Sequence, residues 1–187
     1  MEKKFKYLSE SDNAHSEGSS VQPVQHDYHM HIAADGRWYH EGRVIKRLEL
    51  VKLFATVLSR DEVGKYWLRT PVEYGEISVE DAPFVIIAVE HDKDGHQDAD
   101  EKGQFIVTDN IGRSHYLGPD KPLIMLAGPN GDMRPYVMFE KGLSALVSRP
   151  VFYELVERSV PSFNGDDFGI FSGGMFFALH SGEIEQE

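Results

Sequence analysis

Three carboxylates near the middle of the chain could carry acid–base chemistry. Glu73, Glu80 and Asp81 surround a segment rich in strand-forming residues. Paired carboxylates act as general acid and base when burial separates their pKa values. Acids at a strand end more often face water or accept hydrogen bonds from backbone amides. An enzyme using this cluster is therefore an alternative, because no nucleophile or oxyanion partner accompanies it.

Arg47 is the cation with the clearest potential to bind a ligand. It lies in a segment, Arg37 to Lys52, with five basic and two acidic residues, whereas Glu73 to Glu101 has ten acidic residues and one basic residue. A guanidinium beside a helix can hold a phosphate or carboxylate through paired donors. The competing interpretation is a surface ion pair with a neighbouring acid.

Two other groups of residues have partial metal-ligand spacing. Glu90 to Glu101 nearly matches a calcium loop, but its first position is Glu and strands are predicted on both sides. His29 and His31 alternate along a predicted strand, where no rigid element supplies a further ligand. We interpret the first as a solvated loop and the second as an adventitious chelator, and we predict no metal site.

Composition narrows the class of protein. The 187 residues carry a net charge of −12 and no cysteine, so disulfides and thiolate chemistry are excluded, and nucleic acid or an anionic membrane would be repelled. No signal peptide or membrane span is recognisable, which predicts a cytoplasmic protein. No phosphate-binding glycine loop or nucleophile elbow occurs, so no cofactor is predicted.

The hydrophobic pattern predicts an α+β fold. We expect a disordered tail over residues 1–28, then an opening hairpin around Asp35-Gly36, and a helix from Val44 to Arg60. A second apolar set from Leu143 to Val156 predicts a helix that Pro150 must kink or restart. The predicted strands are Tyr66–Thr70, Glu76–Val79, Phe84–Val89, Phe105–Thr108, Ser114–Leu117, Leu123–Leu126 and Tyr136–Phe139, followed by a hairpin of Phe168–Phe171 and Met175–Leu179 around Ser172-Gly173-Gly174.

A weak internal repeat suggests two similar units. The matched positions are Thr70 with Thr108, Gly75 with Gly112, and Pro83 with Pro122. Short strands without intervening helices favour antiparallel pairing, so we predict two antiparallel β units, each covered by a helix. The expected subdomains are residues 29–90 and 91–187. A seam between such units is a common place for a small ligand.

Several stretches of the chain resemble the bacterial domain-of-unknown-function family 1285. They are Asp35–Arg47, Leu50–Phe54, Tyr66–Glu73, Val79–Phe84, Arg134–Val137, Gly142–Val147, Arg149–Val156 and Ser172–Phe177. The resemblance covers roughly residues 30 to 180. It implies a duplicated core, a second half superficially like a pleckstrin-homology fold, and a signalling role with a nucleotide-like ligand between the halves. The positions carried over to that seam are Arg47, Thr70, Pro71, Glu73, Glu80, Asp81 and Phe84.

The leading hypothesis is a non-enzymatic regulatory module that holds a small, nucleotide-like ligand between its halves. Arg47 would meet an anionic group, Trp67 or Phe84 would form an apolar wall, and Glu73 or Glu80 would accept hydrogen bonds. The alternative is a protein-interaction module without a small ligand, in which an edge strand or the segment from Phe168 to Leu179 docks a partner.

Overall fold

The chain forms an α+β fold with two sheet-rich halves. The computed structural model describes residues 23–92 and 103–181. The first half contains β1 (Val24–Gln25), β2 (Met30–Ile32), β3 (Trp38–His40), β4 (Arg43–Val44), α1 (Leu48–Val57), β5 (Leu58–Arg60), β6 (Tyr66–Arg69) and β7 (Glu73–Val79). The second half contains β8 (Phe84–Asp92), β9 (Gln104–Asp109), β10 (Ser114–Tyr116), β11 (Leu123–Ala127), β12 (Met133–Met138), a 3₁₀ turn (Glu140–Gly142), β13 (Ser144–Val147) and α2 (Arg149–Glu157). A small third sheet closes the fold, with β14 (Val160–Pro161), β15 (Asp167–Ser172) and β16 (Met175–Ser181).

The two large sheets have the same strand order. The first runs β4-β3-β2-β7-β6-β5, with β1 added beside β7, and the second runs β10-β9-β8-β13-β12-β11. Each sheet therefore consists of two three-stranded meanders. The pairing directions also agree, since the meanders are antiparallel and the strands that join them are parallel in both sheets.

The expectation of purely antiparallel pairing is wrong. Three pairs among the described strands are parallel: β2 with β7, β1 with β7, and β8 with β13. A parallel pair needs a long crossover. We expected such a crossover to be a helix, and the predicted strands have no helix-length segment between them. Here both crossovers contain whole strands, and the crossover from β2 to β7 also contains α1.

Both predicted helices are shorter than the hydrophobic pattern suggested. Val44 pairs with Tyr39 across β3 and β4, and Leu58 pairs with Leu68 across β5 and β6. The residues at both ends of the predicted first helix therefore belong to strands. In the second, Leu143 precedes a strand rather than beginning a helix. Pro150 starts α2 in its first turn, where its missing N–H costs nothing. Within the described residues, α1 and α2 are the only α-helices, and neither is long and apolar enough to cross a bilayer.

The sequence repeat matches strands that are not equivalent. Thr70 follows β6, which is next to the edge of the first sheet in its second meander, whereas Thr108 lies in β9 of the first meander of the second sheet. Gly75 is buried within β7, whereas Gly112 occupies a turn with φ +81°. The real correspondence pairs β2–β7 with β8–β13, which the residue matches do not show.

The hairpin predictions are confirmed. β2 and β3 pair around Asp35-Gly36, and β15 and β16 pair with Ser172 opposite Met175. The last hairpin joins β14 rather than extending a large sheet. Val24 and Gln25 pair with β7 inside the stretch expected to be a tail, so ordered structure begins before residue 28.

A buried hydroxyl attaches the third sheet to the second half. The Ser172 Oγ donates to the Leu117 carbonyl at 2.7 Å and accepts from the Phe105 amide at 2.8 Å. Ser172 is fully buried beside core residues that run continuously through both halves. The Leu117 carbonyl also accepts a longer hydrogen bond from Gln104 Nε2 at 3.2 Å, so Ser172 provides its shorter bond and an acceptor for the Phe105 amide.

Ser172→Ala should lower the free energy of unfolding by about 1–3 kcal/mol, because the buried Phe105 amide loses its hydroxyl acceptor and the Leu117 carbonyl keeps only the longer bond from Gln104. Chemical denaturation at neutral pH measures the change. Ser114→Ala is the matched control on exposed strand β10, and it should change stability by less than about 0.5 kcal/mol. Equal effects of the two substitutions would contradict the anchoring role of Ser172.

Candidate ligand-binding site

A cleft of about 580 Å³ opens on the sheet of the second half, between its edge and the start of α2. Strands β11, β12 and β13 form its floor, and α2 forms one wall. The side chains that line it are Met125, Asp132, Met133, Arg134, Pro135, Leu146, Val147, Ser148, Arg149, Phe152 and Tyr153. We call this site the arginine cleft, because it combines two guanidinium groups with an apolar floor.

The apolar floor follows from strand register. Met125 lies opposite Pro135, and Met133 lies opposite Ala127, so the two methionines project from the same face of the sheet. Helix α2 packs on this face through buried Val151 and Leu155, which leaves Phe152 half-buried at the cleft. Methionines suit such a floor because their flexible side chains adapt to a bound shape.

Arg134 is fixed in the cleft by carboxylates from both halves. Its Nη1 donates to Asp81 Oδ2 at 2.8 Å, and its Nε donates to Asp132 Oδ2 at 2.7 Å. Asp81 belongs to the link between the halves, and only 4% of its side chain is exposed. The Tyr136 hydroxyl donates to Asp81 Oδ1 at 2.6 Å. The guanidinium is thus held in one orientation before any ligand arrives.

Tyr136 serves as a donor and not as a base. Burial, followed by the hydrogen bond to Asp81, raises the pKa of Tyr136 well above its ordinary value of 10. The phenol therefore stays protonated at neutral pH. With Asp81 receiving both Arg134 and Tyr136, this group is a fixed support rather than an acid–base pair.

Arg149 is a cation without an ion pair in the described part of the chain. It is exposed at the start of α2, close enough to Asp132 to help lower the pKa of that carboxyl after the larger effect of Arg134. The neighbouring Ser148 hydroxyl makes no capping bond, although Ser148 is the N-cap residue. Arg149 and Ser148 therefore offer donors to an anionic group in the cleft.

The predicted site residues do not converge on one cleft. Thr70 closes the turn between β6 and β7, where its hydroxyl donates to the Glu73 carbonyl and accepts from the Glu73 amide, both at 3.1 Å. Pro71 is exposed in that turn. Trp67 donates to Asp61 Oδ2 at 2.8 Å, so its indole supports a neighbouring loop.

The three predicted carboxylates point to different partners. Glu73 lies 3.5 Å from the His26 imidazole at the start of β7. Glu80 follows the other end of that strand, about 20 Å away at the usual rise per residue, and accepts from the Ala34 amide at 2.8 Å and contacts His31 at 3.0 Å. Asp81 turns towards the second half. The structure does not assemble them into a catalytic cluster.

The remaining predictions fall outside the arginine cleft. Arg47 is exposed at the N-cap of α1 and has no side-chain partner among the described residues. Phe84 is fully buried, so it forms part of the core and not an open ligand wall. His31 contacts Ser78 and Glu80, whereas His29 pairs with Asp27. Most of the calcium-like loop, residues 93–102, lies outside the described residues.

A second group of polar side chains connects the halves above Phe84. Buried Asp109 accepts from Arg113 Nε at 2.7 Å and lies 3.2 Å from His115 Nε2. The Arg113 guanidinium covers the Phe84 ring at 4.1 Å. The adjacent Asn110 donates to the Gly36 carbonyl of the first half at 2.9 Å and accepts from the Val85 amide at 3.0 Å.

Burial alone would raise the pKa of Asp109. The hydrogen bonds from His115 and then Arg113 outweigh it and hold that pKa below its ordinary value of 3.8. Asp109 is therefore ionised at neutral pH. Arg113, His115 and two backbone amides already form hydrogen bonds with the Asp109 carboxylate. We therefore interpret this group of side chains as a structural junction between the halves.

An apolar groove of about 1040 Å³ lies between the second sheet and the third sheet. Its lining is Val89, Glu90, His91, Phe105, Arg158, Val160, Pro161, Ser162, Phe163 and Phe171. Phe163 is 89% exposed at its edge, and Arg158 pairs with Glu154. This groove offers mainly apolar contact, since its arginine is already neutralised.

Sequence reasoning missed the residues that build the arginine cleft. Arg134 and Arg149 were present in the stretches that carry the family resemblance, but their charges were not considered. The signal that could have found them is the repeated Arg-Pro pair, Arg134-Pro135 and Arg149-Pro150. Their proximity depends on the pairing of β12 with β13, which is not visible in local sequence.

The architecture defines an α+β protein with two topologically matched sheets and a ligand-sized cleft beside their junction. Two family models match the chain. "Domain of unknown function (DUF1285), N-terminal domain" matches residues 21–82, and "Protein of unknown function (DUF1285), C-terminal domain" matches residues 83–179. The chain belongs to the DUF1285 family, and the resemblance stated from the sequence is confirmed.

Solved structures agree with this membership. A DUF1285 family protein from Silicibacter pomeroyi DSS-3 is 36% identical, with a TM-score of 0.73 over 86% of this chain and 84% of that one. A DUF1285 family protein from Shewanella baltica OS155 is 27% identical, with a TM-score of 0.52 over 68% of this chain and 90% of that one. No curated protein matches the chain significantly.

Asp81→Asn should lower the free energy of unfolding by about 2–3 kcal/mol, because a buried carboxylate with two donors loses its charge. Urea denaturation at pH 7 measures the loss. Asp132→Asn is the control, since it removes the other, exposed partner of Arg134 and should cost far less. If Asp132→Asn proved the more destabilising of the two, Asp81 would not be the main support of Arg134.

Asp109 should contribute to acid sensitivity. A carboxyl whose pKa is lower in the folded state stabilises the fold above its unfolded pKa, and this contribution disappears as the pH falls through the folded value. Stability measured from pH 6 to pH 2 should therefore fall less steeply below about pH 4 in Asp109→Asn than in the parent. Asp120→Asn, an exposed acid, should retain the parental slope. If the free energy of unfolding fell equally with pH in the parent and in Asp109→Asn, this role would be ruled out.

Proposed function

We propose that this protein is a non-enzymatic regulatory module that binds a small anionic ligand in the arginine cleft. Nucleotide-like molecules are the first class to consider. Arg149 and Ser148 would bind the anionic group, Arg134 would orient it, and Met125, Phe152 and Tyr153 would contact the rest of the ligand. This assignment keeps the function expected from the sequence and moves the cation from Arg47 to Arg149.

The observation that carries the proposal is an unpaired arginine beside a pre-oriented one in a cleft of suitable volume. Ligand sites in proteins combine a mainly apolar lining with a few convergent polar groups. Arg149 makes no salt bridge in the described ranges, although it acts electrostatically on Asp132, whereas Arg134 is held by Asp81 and Asp132 through short ion pairs. A ligand phosphate or carboxylate would complete the hydrogen bonding of Arg149 at little reorganisation cost.

The arginine cleft is also linked to the first half, through the contact of Asp81 with Arg134. Asp81 reaches from the first half to Arg134 and Tyr136 in the second, so a ligand that displaces Arg134 would act on the junction. This coupling supports a regulatory role. The likeness of the second half to a pleckstrin-homology fold, the covering of each unit by a helix, and a cytoplasmic location stay predictions.

A protein-interaction module is the second candidate. It is favoured by the apolar groove, where Phe163 is 89% exposed. Phe168 of the predicted docking segment is 49% exposed but does not line the groove. Buried Leu179 lies at the other end of that segment and packs inside the protein. A partner would therefore meet the groove edge rather than the whole segment from Phe168 to Leu179.

A panel of nucleoside mono- and diphosphates, with inorganic phosphate as the minimal probe, tests the leading proposal by thermal unfolding. A binding nucleotide at 100 times its Kd should add about 2.7 kcal/mol of stability, or about 5–10 °C in Tm for a chain of this length. Arg149→Gln should abolish the shift. Isothermal titration would then give the affinity.

Arg47→Gln is the matched control, because Arg47 is also an exposed arginine at the start of a helix without a described partner. It should leave binding unchanged. A shift lost in Arg47→Gln and kept in Arg149→Gln would return the ligand to the position predicted from the sequence. If no anion shifts the Tm, the interaction module becomes the better account.

A further inference from the structure

The arginine cleft borders a second cleft, whose lining residues are all apolar. This neighbouring space of about 540 Å³ lies between β11 and β16. Its lining is Pro122, Leu123, Ile124, Met125, Met133, Met175, Phe176, Phe177, Ala178 and Leu179. We call it the methionine groove.

The two spaces share two side chains. Met125 and Met133 line both the arginine cleft and the methionine groove. They project from the same sheet face, on which α2 packs to one side and the hairpin of β15 and β16 lies to the other. Flexible, partly exposed methionine side chains therefore form the border between the two clefts.

The charges are placed at one end only. Arg134 and Arg149 line the first space, whereas every residue lining the methionine groove is apolar. Met133 is 61% exposed and Met175 is 38% exposed, so apolar side chains along this path face solvent. The lining thus changes from partly cationic in the arginine cleft to apolar in the adjoining methionine groove.

We propose that the ligand is amphipathic, with an anionic group at Arg149 and an unbranched apolar chain that runs over Met125 and Met133 into the methionine groove. This inference rests on the proposed anion site and adds the chemical class of the remaining part of the ligand. Covering the exposed methionines with hydrocarbon removes apolar surface from water, which is the driving force for the chain.

A series of n-alkyl monophosphates tests the inference in isothermal titrations at fixed ionic strength, below the concentration at which each aggregates. Each methylene transferred into the groove should tighten Kd about fourfold, so hexyl phosphate should bind about 250-fold more tightly than ethyl phosphate. The heat-capacity change of binding should become more negative with chain length.

Two variants separate the chain site from the anion site. Met175→Glu, or Ala178→Glu as a second exposed position in the groove, should leave ethyl phosphate binding nearly unchanged and remove most of the gain for hexyl phosphate. Leu53→Glu, which adds the same charge at an exposed position on α1, should preserve that gain. Arg149→Gln should weaken every member of the series.

The failures of the two proposals have different signatures. Ethyl phosphate that binds through Arg149 with no gain on lengthening would overturn the chain site and retain the anion site. A gain that survives both groove variants would also overturn the chain site. If no alkyl phosphate binds, or if Arg149→Gln changes nothing, both proposals are overturned.

Discussion

Parallel pairing at the centre of each large sheet is the constraint on which the rest of the structure depends. In the second sheet, Phe84 on β8 pairs with Ala145 on β13, and these strands come from opposite ends of the half. When they meet, the two meanders join into one sheet, and α2, which follows β13, packs against β8. The two arginines of the cleft are brought together within the second meander, where β12 pairs with β13.

Local sequence predicted the elements that depend on local interactions. Turn residues correctly predicted the hairpins at Asp35-Gly36 and at Ser172-Gly173-Gly174, and the strand segments were largely recognised. The helix ends were wrong because Val44 and Leu58 belong to the apolar face of a helix pattern and are also strand partners of Tyr39 and Leu68. Hydrophobic periodicity does not reveal which of these interactions is stronger.

The candidate site was harder to predict for the same reason. Asp81 was identified as important, but its partners Arg134 and Tyr136 are far away in sequence and meet it only through the folded junction. Phe84 was recognised as apolar, and its complete burial was not foreseeable from one chain. Conversely, Arg47 is prominent in sequence, yet it lines neither the arginine cleft nor the two apolar grooves described above. The sequence shows which residues are charged, whereas their positions relative to one another depend on the strand topology.

The amide of Asn110 has a consequence for the autonomy of the two halves. It binds the Gly36 carbonyl on one side and the Val85 amide on the other, close to the position where the two family models meet. Separating the halves at residue 82 would remove this hydrogen-bonded bridge. The position where the two family models meet is therefore not a boundary between two structurally independent units.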